Sequence, residues 1–225
     1  MNVLLFGATG MVGQGILREC LLDPDVGLVE TIGRTPTGVQ NSKLKEIVRQ
    51  DLFDYTPVEA ELSDFNACFF TLGVTSRGMQ ESDYHRVTYD LTLAAAHTLV
   101  RLNPQMTMVF VSGAGTDSSE RGPLMWARVK GKTENALLRL PFQAAYMFRP
   151  GFIQPLHGAR SKTRMYRQFY AVSKPILPVL HRLFPNRILT TEELGRAMLV
   201  AAKRGAPKSI LETWDIRRLL DSPAA

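Results

Sequence analysis

Gly7-Ala8-Thr9-Gly10-Met11-Val12-Gly13 spaces three glycines three residues apart. They follow an apolar run, Asn2–Phe6, and open a stretch of helical periodicity, Met11–Leu22. A glycine loop in that setting can cradle a pyrophosphate. The first glycine allows the tight turn. The second lets backbone N–H groups approach the phosphates, and the third lets helix and strand pack closely. The start of the helix adds partial positive charge. Thr9, Met11 and Val12 complete the loop's candidate contacts. The alternative is a glycine turn that serves the fold alone.

The end of the second strand decides which dinucleotide fits. A site for NAD commonly carries an acid there, bonded to the ribose 2′-hydroxyl. Glu30 falls inside that strand, too early, and the residue in place is Arg34. Its planar fork suits a 2′-phosphate. NADP(H) is therefore the expected cofactor, with NAD(H) less favoured. A solvated turn arginine is the alternative. Asp51-Leu52 follows the third strand and could edge the adenine pocket. Leu72-Gly73 closes the fourth strand and Ser112-Gly113 the fifth, where ligands of parallel sheets bind. No spacing of His, Cys, Asp and Glu resembles a metal site, and no Gly-x-Ser-x-Gly elbow occurs. The pair Glu192-Glu193 reads as a helix start.

These residues need a scaffold, and the apolar pattern supplies one. Short runs at Asn2–Phe6, 28–32, 46–50, 67–72, Thr107–Val111 and 144–148 read as strands. Periodic stretches at Met11–Leu22, 82–102 and 125–140 read as helices between them. Strands alternating with helices predict a doubly wound parallel α/β sheet of the Rossmann type. After Gly151 the order is less regular. A helix over 161–172, an apolar proline-broken segment over 175–185, a helix over 191–203 and a last strand over 209–214 are expected. Thr190 or Thr191 can cap the helix over 191–203, and Gly205 can end it.

With 225 residues, the chain fits one domain, a core over 1–153 and a small lobe over 154–225. Its composition, 45% hydrophobic and 21% charged, excludes a disordered or collagen-like chain. Cys20 and Cys68 sit in apolar stretches and predict reduced core thiols in a cytoplasmic protein. No apolar run is long enough to cross a membrane, and the N-terminus is a poor signal peptide. The net charge is +6, yet residues 1–150 carry 14 basic against 16 acidic groups, and 151–225 carry 13 against 5. The basic third suits an anionic ligand, a peripheral membrane surface or an acidic partner. A solvated face is the alternative. Arg160, Arg164 and Arg167 would share one helix face there. No nucleic-acid motif is present, so no nucleic acid is expected.

The glycine loop, Gly33-Arg34, Ser112 and Arg149-Pro150-Gly151 together resemble the short-chain dehydrogenase/reductase superfamily. The likeness is to its atypical NAD(P)H-binding branch, which includes TIP30-like proteins and bacterial proteins labelled as epimerases. It covers roughly the whole chain and is strongest over 2–153. The resemblance implies a catalytic Ser at Ser112 and a Tyr-x-x-x-Lys pair on the next helix; the alternative for Ser112 is an end-of-strand hydroxyl that bonds local backbone. Lys130 matches the lysine, which holds the nicotinamide ribose and tunes the tyrosine. Trp126 stands at the tyrosine position.

An indole N–H donates a hydrogen bond but does not titrate, so Trp126 cannot be a general acid or base. It lines the pocket or is a core aromatic. Tyr84, His85, Tyr89 and Arg77 could edge the pocket. His157, in the loop that covers substrate in the family, could donate a proton near neutral pH, though a surface loop histidine is the favoured reading. Two functions stay open: an oxidoreductase or isomerase with a non-standard proton donor acting on an unidentified small molecule, and a non-catalytic NADPH-binding regulatory module. A monomer and a homodimer fit equally.

Overall fold

The computed structural model describes residues 1–159 and 188–221. The expected features at 161–172, 175–185 and Arg160/Arg164/Arg167 lie outside the described residues. Seven parallel strands form the central sheet. In chain order they are β1 (Asn2–Phe6), β2 (Leu28–Gly33), β3 (Leu44–Val48), β4 (Ala67–Phe70), β5 (Thr107–Val111), β6 (Ala144–Arg149) and β9 (Ile210–Glu212). The spatial order is β3-β2-β1-β4-β5-β6-β9, so the connections reverse direction between β1 and β4. Ligands of such sheets bind outside the strand C-termini at that reversal. Two further strands, β7 (Phe152–Gln154) and β8 (Ile188–Thr190), pair with each other in parallel. Neither is separable in the sequence from the loops around it.

Both sheet faces are covered, which is why the strands read as continuous apolar runs. In β1, Val3 and Leu5 join one core with Val29, Phe69, Val109 and Phe148. Leu4 and Phe6 join the other with Ile32, Cys68, Phe70 and Phe110. Cys20 and Cys68 belong to opposite cores, so they cannot pair, and both are free. Burial pushes both thiols up.

The first core is closed by α1 (Met11–Leu22) and α5 (Thr191–Arg204). These helices touch closely. A Cβ on Gly15 would stand 2.5 Å from the Thr191 Cβ. The α5 start is a capping box, with Thr190 and Glu193 each bonding the other's backbone N–H at 3.0 and 2.7 Å. β9 pairs with β6 and α5 packs on α1, so residues 188–221 complete the same layers as the core.

The second face carries a 3-10 turn (Thr56–Leu62), α2 (Glu81–His85), α3 (Leu91–Leu102) and α4 (Met125–Arg139). The helix expected over 82–102 is interrupted by a π segment, Arg86–Asp90. Such a bulge adds a residue to a turn without changing side-chain polarity, so hydrophobic periodicity does not reveal it. The third strand lies two residues earlier than expected, and β4 ends at Phe70, after which the Thr71 amide and hydroxyl both donate to the Phe6 carbonyl, at 3.0 and 2.7 Å. The expected strand over 209–214 stops at Glu212, where α6 (Thr213–Asp221) begins. The Asp215 carboxylate accepts the Glu212 amide at 2.9 Å and so favours the helix start.

Candidate functional site

The glycine loop joins β1 to α1 at the reversal point. Gly7 has φ +85°, and a Cβ there would stand 2.8 Å from the Leu72 nitrogen and from Thr71. Only glycine fits both the turn and the neighbouring strand end. A Cβ on Gly13 would stand 2.1 Å from the Gly7 carbonyl oxygen, so α1 is drawn directly onto the loop. Gly10 is the helix N-cap, and its amide donates to Gly7 O at 2.9 Å. Gly10 has no side chain with which to cap this helix, and no acid occupies its first turn. The dipole at its N-terminus is thus left for a ligand.

In front of the helix lies a cavity of about 630 Å³. It gathers Gly7, Thr9, Gly10, Arg34, Leu52, Leu72 and Gly73. Met11, Val12 and Gly13 form the first turn of α1 behind the loop, and none of them lines the cavity. Asp51 does not line it either. The residue is exposed, and its carboxylate accepts the Phe53 amide at 2.8 Å as a turn brace. Arg34 is exposed at the rim, and its guanidinium makes no ion pair among the described residues. The loop behind it is fixed by Glu46, which accepts the Thr37 amide at 2.8 Å and the Thr31 hydroxyl at 3.3 Å. Gln50 donates to the Arg34 carbonyl at 3.2 Å.

A second cluster is built on α4 and the end of β5, and none of its residues, Ser112, Trp126, Lys130 or Glu134, lines that cavity. Trp126, Lys130 and Glu134 succeed one another by one turn and share a helix face. The indole packs over the loop after β5, with its Cη2 3.5 Å from the place of a Gly115 Cβ. The Lys130 ammonium donates to the Ser112 carbonyl. Burial pushes this lysine down to about 8, and the Glu134 charge acts against that shift. Ser112 itself is buried, and its hydroxyl donates to Glu134 Oε1 at 2.5 Å, with Phe148 O at 3.2 Å. Its hydroxyl is therefore engaged inside the wall. The structure brings Ser112 and Lys130 together through the Ser112 carbonyl.

Sequence reasoning missed Glu134 and the partners that bury it. The signal was present as its spacing of four from Lys130, but an acid on an amphipathic helix reads first as a solvated one.

The other candidates lie elsewhere. Tyr84 is buried and burial pushes its phenol up. His85 and Tyr89 stack at 4.6 Å between centroids and face Lys132, whose Nζ is 3.0 Å from His85 Nε2. Arg77 is exposed in the loop before α2. His157 takes φ +53° and bonds Glu192 at 2.7 Å. It lines a second cavity of about 740 Å³, on the α1 side with Arg18 and Leu22. His157 is exposed, and its bond to Glu192 ties it to α5, as a surface loop histidine. Among the described residues no group of His, Cys, Asp and Glu is arranged for a metal, and no helix is long and apolar enough to cross a membrane.

No family profile matches the chain. Solved structures share its fold. The Bordetella bronchiseptica enzyme WbmF in complex with NAD+ superposes with TM-score 0.68 at 13% identity, covering 96% of this chain and 76% of that one. UDP-N-acetylglucosamine 4-epimerase from Methanobrevibacter ruminantium gives 0.69 at 16%, covering 94% and 75%. A short-chain dehydrogenase/reductase from Saccharomyces cerevisiae gives 0.66 at 14%, covering 98% of both chains. At these identities the likeness is one of fold, and the resemblance to short-chain dehydrogenases holds at that level.

Similarity in sequence leads to a narrower group. The mitochondrial protein FMP52-2 of Scheffersomyces stipitis is 26% identical over 217 residues, covering 94% of this chain and 91% of its own. The mitochondrial protein fmp52 of Emericella nidulans is 31% identical over 170 residues, covering 72% of this chain and 70% of its own. These relatives are named mitochondrial, which overturns the cytoplasmic expectation. Two free buried cysteines fit any reducing compartment and could not have separated the two. With that identity over most of the Emericella protein, on a Rossmann-like sheet with its glycine loop at the reversal point, this chain belongs to the FMP52 family.

Proposed function

We propose that the chain binds NADP(H) at the end of the sheet, with the pyrophosphate on the Gly7–Gly13 loop and the 2′-phosphate on Arg34. The observation that carries this reading is the acid-free start of α1 at Gly10, which opens on a cavity of about 630 Å³. Gly7 and Gly13 leave no room for a Cβ, which is the packing that brings a backbone loop close to phosphates. Leu52, Leu72 and Gly73 supply apolar walls for the adenine end. Lys130 is assigned to the nicotinamide ribose. Bound nicotinamide would supply hydride chemistry, and the residues of this chain would bind and orient it. The names of the relatives support a mitochondrial setting.

Trp126 and Ser112 favour a particular version of this function. Neither an indole nor a hydroxyl committed to Glu134 can exchange a proton with a carbonyl in the manner of a titrating tyrosine. A binding or regulatory module using NADPH as ligand therefore stands beside an oxidoreductase or isomerase with another proton donor. The basic residues after Gly151 remain a candidate contact for an acidic partner or a membrane surface.

Calorimetric titration with NADPH and NADH tests the binding reading. Wild-type protein should bind NADPH more tightly than NADH. Arg34→Ala should weaken NADPH by about 1.5–3 kcal/mol, the range for hydrogen bonds to charged groups, and leave NADH unchanged. Absence of binding for both nucleotides would end this reading.

A further inference from the structure

The Lys130 ammonium is held by a backbone atom, the Ser112 carbonyl oxygen. Its place therefore depends on whatever fixes Ser112. The Ser112 amide donates to Phe148 O at 2.9 Å, and its hydroxyl donates to Glu134 Oε1 at 2.5 Å. Glu134 has no exposed surface. A carboxylate taken out of water needs donors of its own. Arg149 provides them, with Nε at 3.1 and 3.2 Å from the two oxygens and Nη2 at 2.5 Å. Arg149 is braced in turn by the Ser118 hydroxyl at 2.5 Å and by Glu212 at 3.4 Å. The ends of β5 and β6 and the middle of α4 meet at this carboxylate, and Arg149 ties the loop after β5 and the end of β9 to it.

The charges around Lys130 also balance there. Glu134 on α4 acts on two cations, Lys130 on α4 and Arg149 on β6, and Glu212 on β9 pairs with Arg149. Without the Glu134 charge, Arg149 would keep Glu212, whose side chain is 47% exposed, and Lys130 would lose the counter-charge that acts on it. A neutral side chain of the same shape would still fill the space. The ionised form is what opposes the burial of Lys130.

We propose that Glu134 is a positioning residue, which keeps the Lys130 ammonium on the Ser112 carbonyl by clamping Ser112 and by supplying a buried counter-charge one helix turn away. The inference rests on the NADP(H) reading for what Lys130 meets, and on this geometry alone for how Lys130 is held.

The test reads Lys130 directly. Trace acetylation across the neutral-to-alkaline range, quantified at Lys130 by mass spectrometry, gives the titration midpoint of its amine in wild type, Glu134→Gln and Glu134→Asp. NADPH titration is run on the same proteins. Glu134→Gln should lower the midpoint by about one pH unit, the scale of a lost opposite charge nearby. Glu134→Asp retains the charge but retracts it, and should fall between. NADPH affinity should decline at correspondingly lower pH in both variants. If Glu134→Gln does not fold, the Glu134→Asp midpoint decides. Unchanged midpoints in the folded variants overturn the proposal. Shifted midpoints in a protein whose wild type binds no NADPH uphold the Glu134 clamp and overturn the nucleotide reading instead.

Discussion

Gly13 sits so close to Gly7 that a Cβ on it would stand 2.1 Å from the Gly7 carbonyl oxygen. The contact fixes where α1 begins relative to the end of β1, and so where the helix N-terminus points. Packing and candidate phosphate binding depend on the same missing methyl group.

Gly13→Ala should therefore lose on both counts. The added Cβ meets backbone, which cannot yield as a flexible side chain would. Overpacking of this kind costs about 1–3 kcal/mol. Chemical denaturation should show that loss, and calorimetry should show NADPH binding abolished. A variant with wild-type stability and affinity would mean that α1 can slide away from the loop freely.

Trp126→Tyr asks whether the pocket is built for carbonyl chemistry. The phenol would arise one turn from Lys130, whose charge favours a phenolate. NADPH consumption with a panel of aldehydes and ketones should rise above the wild-type level. It should stay well below that of a complete site, because the Ser112 hydroxyl is engaged by Glu134. An inert variant that still binds NADPH would favour the regulatory module.

Lys130 carries a pH signature in stability. Its folded value, about 8, lies below the usual 10.5. Between these values the unfolded chain binds more protons than the folded one, so the lysine's contribution rises with pH. Above pH 9 the buried thiols of Cys20 and Cys68, pushed up from 9.0, act in the opposite direction. The clean window is pH 8 to 9, the span between the folded Lys130 value and the ordinary thiol value. Urea denaturation should show wild type gaining about 1 kcal/mol across it relative to Lys130→Met. Parallel curves for the two proteins would show that Lys130 is not held in a desolvated place.

The parallel sheet, the succession of its first six strands along the chain and the glycine loop were legible in the sequence. They rest on local signals. Apolar runs such as Asn2–Phe6 and Ala144–Arg149 are buried on both faces, and the periodic stretch Met11–Leu22 must pack one side against them. Gly7, Gly10 and Gly13 announce a turn of fixed geometry, and Arg34 follows from where β2 ends. Trp126 in place of a titrating residue is likewise a fact of sequence.

Only the tertiary structure decided what the polar residues of that site do. Ser112, Glu134 and Arg149 are well separated in the chain, and their meeting depends on the register of β5 with β6 and the rotation of α4. The same holds for His157, whose partner Glu192 lies 35 residues on, at the start of α5. The π segment within 86–90 and the pairing of β7 with β8 depend on contacts made far along the chain. Hydrophobic spacing records which residues leave water, because burial is decided one side chain at a time. It does not record which buried polar groups find one another, because a hydrogen bond is decided by two positions that only the fold brings within reach.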